Sequence, residues 1–295
     1  VDGASFQLRD NNNSSILNNS VFEKGTPRIL KKFKGKVASL LTGGGGNNNY
    51  WHWLYDVLPR IRLVEKIENL DNIDYFLLPN LDKKFQRDTL NKLKINKNKL
   101  LSSKDFRHIK SDQLLITDHP YIFTEDSHVD AQKIPKWILN WLKEKFINKE
   151  EIIEKKYPKK IFIDRSDTPS NKTRLRSLIN EEEVKEFLSE KDFTPVRLND
   201  LDFAEQVNYF NNSEFVIGLH GAGFANLTFC KRGTKVIELR MSNAGTVIEN
   251  LAIKNNLIFK SIINKPESQD YDKQMGNIKI SIETLDKKIK ELEES

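Results

Sequence analysis

The chain of 295 residues contains a single cysteine, Cys230, and this scarcity restricts its chemistry. One cysteine cannot form an intramolecular disulfide, and it excludes every metal site that needs several thiolates. Its apolar neighbours Leu227 and Phe229 predict that Cys230 is buried and unreactive. The sequence also lacks a run of about 18 apolar residues, which a membrane-spanning helix would need.

A large excess of one charge is also missing. The chain has 48 Lys and Arg residues and 42 Asp and Glu residues, which gives a net charge of +6. A mildly basic chain suits an anionic small substrate, a membrane surface or a nucleic acid. The sequence has no arginine-rich arm, no basic strand interleaved with aromatics and no zinc spacing, so we do not expect a nucleic-acid partner. With 38% apolar residues, the chain can form one large domain or two ordinary ones.

The first half mixes strand and helix patterns around four consecutive glycines. Residues 1–30 have no clear period and are interpreted as a loosely ordered lead-in, and residues 42–49 are too glycine-rich for a helix or strand. A helix capped by Asn48 or Asn49 follows, and Pro59 should kink or restart this helix. Its apolar positions at helical spacing are Trp53, Val57, Ile61 and Val64. The other predicted elements are strands at 36–41, 74–78 and 113–117 and helices at 85–93 and 134–146.

Strands and helices alternate in the second half, which predicts a parallel α/β sheet. The charged stretch 149–160 is poor in apolar residues, so we predict two domains, 1–155 and 156–295. A terminal helix at 285–292 could pack back on the first domain. The predicted strands are 161–164, 194–198, 215–219, 235–239 and 257–262, and the predicted helices are 181–188, 203–210 and 246–254.

The sharpest local motif is FVIGLHGAGFANLTF, in which an apolar strand ends in His220, Gly221, Ala222 and Gly223. Ligands of open parallel sheets bind beyond the carboxyl ends of the strands. Glycines let the backbone approach a ligand, and a helix N-terminus favours an anion such as a diphosphate. A turn that only packs a helix on a strand is the structural alternative. Asn226 stands where a dinucleotide fingerprint has its third small residue, which disfavours a nicotinamide or flavin enzyme.

Polar and charged residues near two strand ends and one helix start extend this hypothesis. Arg165 follows a strand, where a guanidinium can pair with phosphate oxygens, and Arg176 and Asn180 are four apart at a helix start. Glu238 lies in the strand VIEL, near its carboxyl end, where a carboxylate can accept both hydroxyls of a ribose. A solvated surface charge is the alternative for each of the two arginines and for Glu238.

Asp200 and Asp202 resemble the Asp-x-Asp motif of metal-dependent sugar transferases. Asp202 followed by Glu205 also has the spacing of a helix cap with its acidic partner at the third helical position. We favour the cap and predict no metal site, so positive side chains and backbone amides would have to stabilise a leaving diphosphate.

The motif NYWHWLYDVLPR places His52 and Asp56 four residues apart, hence on one helix face, and Arg60 continues that face. A His–Asp pair can act as a general base, with the Asp orienting the imidazole, and the flanking aromatic rings can stack on sugars. Alternatively, the histidine hydrogen-bonds the glycine loop and the tryptophans belong to the core.

Together these segments resemble family 61 glycosyltransferases in sequence, order and separation. The resemblance rests on NNNYWHWLYDVLPRI, on Arg165 with RSLINEEEV, on DFAEQVNYF, and on FVIGLHGAGFANLTF with VIEL. It implies a GT-B-like α/β fold, in which two Rossmann-like domains face a cleft. It also implies an inverting, metal-independent transfer from a nucleotide sugar, with no further cofactor.

The resemblance implies a role for each matching residue. His52 and Asp56 match the cleft motif and are the catalytic candidates. The donor-binding candidates are Arg165, Arg176, Asn180, His220, Gly221, Ala222, Gly223, Asn226 and Glu238. The acceptor-side candidates are Asn49, Tyr50, Trp51 and Arg60.

The same resemblance implies a UDP-linked donor and a glycan or lipid-linked acceptor. In having a single cysteine, the chain resembles the bacterial members of the family, which build surface polysaccharide. This resemblance implies a cytoplasmic enzyme at the inner face of the membrane. Three alternatives remain open at this point: a nucleotide-sugar epimerase on the same fold, a Rossmann oxidoreductase, and a sugar-binding protein without catalysis.

Overall fold

A computed structural model describes residues 29–42, 48–121, 133–147, 156–166, 176–267 and 276–294. The predicted lead-in, except for Ile29 and Leu30, and the four consecutive glycines lie outside these ranges. Within them, no helix is long and apolar enough to cross a membrane. The chain divides into two compact units, Val1–Asp130 and Ala131–Ser295.

The first unit contains a four-stranded sheet in which every pair of neighbouring strands is parallel. Its strands are β1 (Lys31–Ser39), β2 (Tyr75–Leu78), β3 (Leu100–Ser102) and β4 (Ile109–Ile116), in the order β3-β2-β1-β4. The chain moves outward from β1 to β3 and then crosses back to place β4 beside β1. The carboxyl ends of β1 and β4 therefore form a topological switch point, where open α/β sheets bind ligands.

Helix α1 leads from β1 to β2 and consists of an α-helical turn (Tyr50–His52), a π-helical segment (Trp53–Val57) and an α-helical segment (Leu58–Glu65). All four predicted core positions are fully buried, which confirms the helical spacing read from the sequence. Pro59 lies at the start of the last segment, so the predicted restart is a change from π- to α-helical geometry. Helix α2 (Lys84–Lys92) follows β2.

The second unit contains a five-stranded parallel sheet in the order β6-β5-β7-β8-β9. The chain passes from β5 to its neighbour β6 and then crosses to β7 on the other side of β5. The switch point of this sheet therefore lies at the carboxyl ends of β5 and β7. The strands are β5 (Lys160–Asp164), β6 (Thr194–Arg197), β7 (Phe215–Leu219), β8 (Lys235–Met241) and β9 (Ile258–Asn264).

Five α-helices lie in the described residues of the second unit. They are α3 (Lys136–Phe146), α4 (Glu181–Glu190), α5 (Phe203–Asn212), α6 (Val247–Lys254) and α7 (Ile282–Glu293). The mixed α/β class with parallel sheets is as predicted. Cys230 is buried as predicted, and burial raises the pKa of its thiol.

Two features of the domain organisation differ from the sequence prediction. Helix α3 belongs to the second unit, not the first, because its buried residue Phe146 packs on Phe203 and Phe229 at centroid distances of 4.9 and 6.5 Å. The terminal helix α7 packs in the core of the second unit rather than on the first, through Leu285, Ile289 and Leu292. The two compact units divide after residue 130, whereas the sequence prediction placed the boundary at 155.

Asp202 caps helix α5, as the sequence predicts. Its Oδ1 accepts the Glu205 amide at 2.8 Å, and Glu205 Oε2 accepts the Asp202 amide at 3.3 Å. Asp200 lies in the preceding 3₁₀ turn and pairs with Arg197 at 2.9 Å, with more than half of each side chain exposed. Only one of the two aspartates thus has a structural role in starting the helix.

Replacement Asp202→Ala should lower the free energy of unfolding by about 1 kcal/mol, the usual effect of losing a helix cap. Asp200→Ala is the matched control and should change it by less than ~0.5 kcal/mol, because exposed ion pairs contribute little. Urea unfolding followed by circular dichroism measures both. Equal losses for the two variants would contradict the assignment.

Candidate functional site

The π-helical segment turns Asp56 toward the interior of the first unit. All five residues from Trp53 to Val57 are buried, and the Leu58 amide bonds to the carbonyl of Trp53, an i→i+5 bond. Such segments are rare and often occur at functional sites. A buried carboxylate needs hydrogen-bond donors, and two side chains supply them.

Asp56 stands between His52 and Tyr121. Its Oδ2 lies 2.6 Å from Nδ1 of His52, and its Oδ1 accepts the Tyr121 hydroxyl at 2.5 Å. The side chain of His52 is 40% exposed, whereas that of Asp56 is 10% exposed. Both partners lie at the switch point of the first sheet, since α1 follows β1 and Tyr121 follows β4.

This arrangement changes the acid–base behaviour of the cluster. The hydrogen bond to Asp56 raises the pKa of His52, while partial burial opposes it. Burial, followed by the charge of Asp56, raises the pKa of Tyr121, so its phenol remains a donor at neutral pH. Burial also lowers the pKa of His119, whose Nε2 lies 3.9 Å from Asp56 Oδ1.

Arg60 holds the carboxyl end of β4 against helix α1. Its Nε donates to the Asp56 carbonyl at 3.0 Å and its Nη1 to the Thr117 carbonyl at 2.9 Å. Arg60 is buried, and burial lowers its pKa. The hydrogen bonds of Arg60 are therefore made within the first unit, where this residue, predicted for the acceptor side, has a scaffolding role.

The remaining residues of the N-terminal motif have identifiable local contacts. Asn49 caps α1, because its Oδ1 accepts the Trp51 amide at 2.9 Å. Tyr50 packs edge-on against Phe85 at 5.1 Å, and Trp51 lies 4.7 Å from the Tyr55 ring. These contacts orient the rings of Tyr50 and Trp51, which remain partly exposed.

In the second unit, two arginines converge on one backbone oxygen at the switch point. Nη1 of Arg165, just after β5, donates to the His220 carbonyl at 3.0 Å, and Nη1 of Arg176 donates to the same oxygen at 3.2 Å. Burial and the nearby charge of Arg165 lower the pKa of Arg176 to about 10. Arg176 is still a cation at neutral pH, so this arrangement concentrates positive charge and suits an anion.

His220 lies at the end of β7 and is fixed by Glu238. Nδ1 of His220 hydrogen-bonds Oε1 of Glu238, and the two side chains are 3% and 0% exposed. Glu238 lies in the middle of β8 instead of near its carboxyl end, and its carboxylate faces the interior. The predicted contact with a ribose is therefore not available in this conformation, because the side chain has no accessible surface.

The glycines of the loop pack against the protein itself. A Cβ added to Gly221 would lie 2.8 Å from Arg165 Nη1, and one added to Gly223 would lie 2.8 Å from Leu198 Cδ1. The loop continues at Ala222 into a 3₁₀ helix (Ala222–Phe229) and not an α-helix. The missing side chain at Gly221 thus lets a cationic group approach the loop.

Asn180 and Asn226 have structural partners. Asn180 occupies the N-cap position of α4 without a side-chain cap bond, and its amide group exchanges hydrogen bonds with the backbone of Ile280, at 2.8 Å to the carbonyl and 3.0 Å from the amide. Asn226 is fully buried and donates to Gln206 at 3.1 Å. Arg176 precedes α4, so the predicted shared helix face of Arg176 and Asn180 does not form. The side-chain amides of both asparagines are therefore engaged by other groups of the second unit.

Three residues of these clusters were not predicted from the sequence: Tyr121, His119 and Arg240. Arg240 follows Glu238 by two positions on β8, and its Nη1 lies 4.0 Å from Glu238 Oε2 and 3.9 Å from Glu249 Oε2. The two-residue strand period could have indicated Arg240. Tyr121 and His119 lie in the sequence DHPY directly after β4, and only the strand order brings them to α1.

The family model described as Glycosyltransferase 61 matches residues 50–237, which is well over half of the chain. The chain belongs to the glycosyltransferase 61 family. No curated protein matches it.

Membership of the glycosyltransferase 61 family makes this chain an enzyme that transfers a sugar from a donor to an acceptor. The matched range includes both clusters described above, from His52 and Asp56 to Arg165, Arg176 and His220. It ends at Ile237, one residue before Glu238.

The His52–Asp56 pair leads to a measurable expectation. Asp56→Asn should lower the pKa of His52, because the amide no longer carries the charge that holds the proton. Nuclear magnetic resonance of histidine-labelled protein measures this titration, and loss of a signal in His52→Ala assigns the resonance. Asp71→Asn, an exposed residue of the same unit, is the control and should leave the titration unchanged. An unchanged His52 titration in Asp56→Asn would contradict the pairing.

Proposed function

We propose that this glycosyltransferase performs an inverting, metal-independent transfer from a nucleotide sugar. The donor diphosphate would bind at the switch point of the second sheet, and His52 would be the general base. The observation that carries the proposal is the convergence of Arg165 and Arg176 on the carbonyl of His220.

Charge complementarity supports the diphosphate site. Two guanidinium groups close together repel one another, and an anion bound beside them relieves that repulsion. Diphosphates carry several acceptor oxygens, which match the planar donor set of arginine. Gly221 and Ala222 were predicted from the sequence for the same site and lie at the start of the 3₁₀ helix, and a Cβ added to Gly221 would lie 2.8 Å from Arg165 Nη1.

Hydrogen bonding and exposure favour His52 over Asp56 as the base. Both carboxylate oxygens of Asp56 are engaged, one by His52 and the other by Tyr121. Asp56 can therefore orient the imidazole through Nδ1 and leave Nε2 to receive a proton. His52 also has the more exposed side chain of the pair.

In the proposed step, the acceptor hydroxyl oxygen forms a bond to the anomeric carbon while the bond from that carbon to the diphosphate oxygen breaks. The hydroxyl proton passes to Nε2 of His52, and the electron pair of the broken bond leaves with the nucleoside diphosphate. Arg165 and Arg176 would stabilise the charge that develops on that leaving group. Attack from the face opposite the diphosphate inverts the anomeric configuration.

The helix-cap role of Asp202 supports a metal-independent reaction, because its carboxylate is engaged in starting α5. The remaining elements of the proposal rest on the resemblance to the family. They are a GT-B arrangement of the two units, a UDP-linked donor, a glycan or lipid-linked acceptor, and a role in surface polysaccharide synthesis at the inner face of the membrane.

The donor site can be tested with Arg165→Ala and Arg176→Ala. Each should weaken nucleoside-diphosphate binding by about 1–3 kcal/mol, the usual effect of losing a charge-assisted hydrogen bond. Isothermal titration calorimetry with UDP, GDP and CDP measures the affinity and identifies the preferred base. Arg232→Ala, which lies just before the amino end of β8 in the same sheet, is the matched control and should bind normally. Wild-type affinity in both variants would remove the arginines from the site.

The base can be tested with His52→Ala. Turnover should fall by about 10²–10⁴-fold, as expected for a lost general base, while nucleotide affinity stays near wild type. Product formation by mass spectrometry measures turnover with donor and acceptor together, and incubation with donor alone reveals any epimerase activity.

Two controls accompany this assay. His108→Ala removes a histidine that lies just before the amino end of β4, away from the switch point, and should retain turnover. Assays in excess EDTA should also retain it, if the reaction needs no metal. Full turnover in His52→Ala would place the base elsewhere, and loss on chelation that manganese restores would show a metal-dependent reaction.

A further inference from the structure

Tyr121 is a buried donor to the carboxylate that orients the proposed base. Its hydroxyl lies 2.5 Å from Oδ1 of Asp56, and the residue is 7% exposed. The other oxygen of Asp56 faces His52. The two donors therefore share one carboxylate charge, and a stronger bond to one leaves less charge for the other.

Contacts around Tyr121 hold it in this position. The ring of His119 packs edge-on against it at 4.3 Å, and Nδ1 of His119 lies 3.1 Å from its carbonyl oxygen. Arg60 fixes the preceding turn through the carbonyl of Thr117. These contacts constrain the segment that follows β4, so the direction of the phenol is set by the fold.

The titratable groups that interact with Asp56 come from helix α1 and from the segment that follows β4. Besides Tyr121, Asp56 interacts with His52, with His119 at 3.9 Å and with Arg60, whose own charge is also influenced by Asp118. Burial lowers the pKa of His119, whereas Arg60 is a cation and donates to the backbone carbonyl of Asp56. Tyr121 is the only one of these groups that hydrogen-bonds Oδ1 of Asp56 in the described part of the chain.

We propose that Tyr121 is a positioning residue, which orients Asp56 and limits how strongly Asp56 holds a proton on His52. The inference rests on the proposed role of His52 as the base. A general base works best when its pKa lies near the operating pH, and a second donor to Asp56 limits the rise that the carboxylate causes in the pKa of His52. The phenol of Tyr121 thus limits the rise in the pKa of His52, and it also holds the carboxylate of Asp56 in one orientation.

The titration of His52 tests this inference directly. Tyr121→Phe should raise the pKa of His52 above its wild-type value, because Asp56 loses a competing donor, whereas Asp56→Asn should lower it. A residue that only fills space would not shift the titration in this direction. Tyr75→Phe removes a hydroxyl from β2 of the same unit and should leave the value unchanged. A His52 pKa that stays constant or falls in Tyr121→Phe would overturn the proposal.

A second variant serves if Tyr121→Phe fails to fold. Incorporation of 3-fluorotyrosine at this position keeps the size of the ring but makes the phenol a stronger donor, so the pKa of His52 should fall below the wild-type value. An unchanged value would again overturn the proposal. These titrations need neither donor nor acceptor. A failure of His52 as the base would appear as full turnover in His52→Ala, independently of the titration result.

Discussion

Parallel strand pairing is the constraint on which both candidate clusters depend. Parallel strands direct their carboxyl ends to one edge of a sheet, and a crossover in the chain leaves a space between two neighbouring loops. The first sheet has this crossover between β1 and β4, and the second has it between β5 and β7. His52 and Tyr121 follow the first pair of strands, and Arg165 and His220 follow the second. The two units therefore use one topological principle with different side chains.

Each unit also contains a histidine held by a carboxylate through Nδ1, yet the surroundings give the two pairs different capacities. His52 is substantially exposed and can meet a substrate, whereas His220 and Glu238 are almost entirely buried. A buried pair of this kind fixes the conformation of a loop. The carbonyl of His220 then accepts hydrogen bonds from the two arginines. Exposure, and not residue type, therefore separates the catalytic candidate from the structural pair.

Local patterns predicted most of the elements, because periodicity, caps and turns depend on neighbours in sequence. All strands except the three-residue β3 were found, as were the buried face of α1 and the cap at Asp202. Contacts between distant segments were not accessible in this way. The strand order that brings Tyr121 to Asp56, the burial of Glu238 and the packing of α3 on Phe203 and Phe229 all depend on such contacts. The π-helical geometry also escaped, since its residues have ordinary helical preferences.

The number of residues in the π-helical segment sets the orientation of the part of helix α1 that follows it. A segment with i→i+5 bonds contains one residue more than an α-helix of the same number of turns. Since each residue of an α-helix advances by about 100°, deleting one residue between Trp53 and Val57 would rotate the following turn by about that angle. Arg60 would then turn away from Thr117, and the loop after β4 would lose its attachment while His52 kept its place. The extra residue thus fixes how far the last segment of the helix is rotated relative to its first turn. Natural variants should therefore tolerate a substitution in this segment more readily than a change in its length.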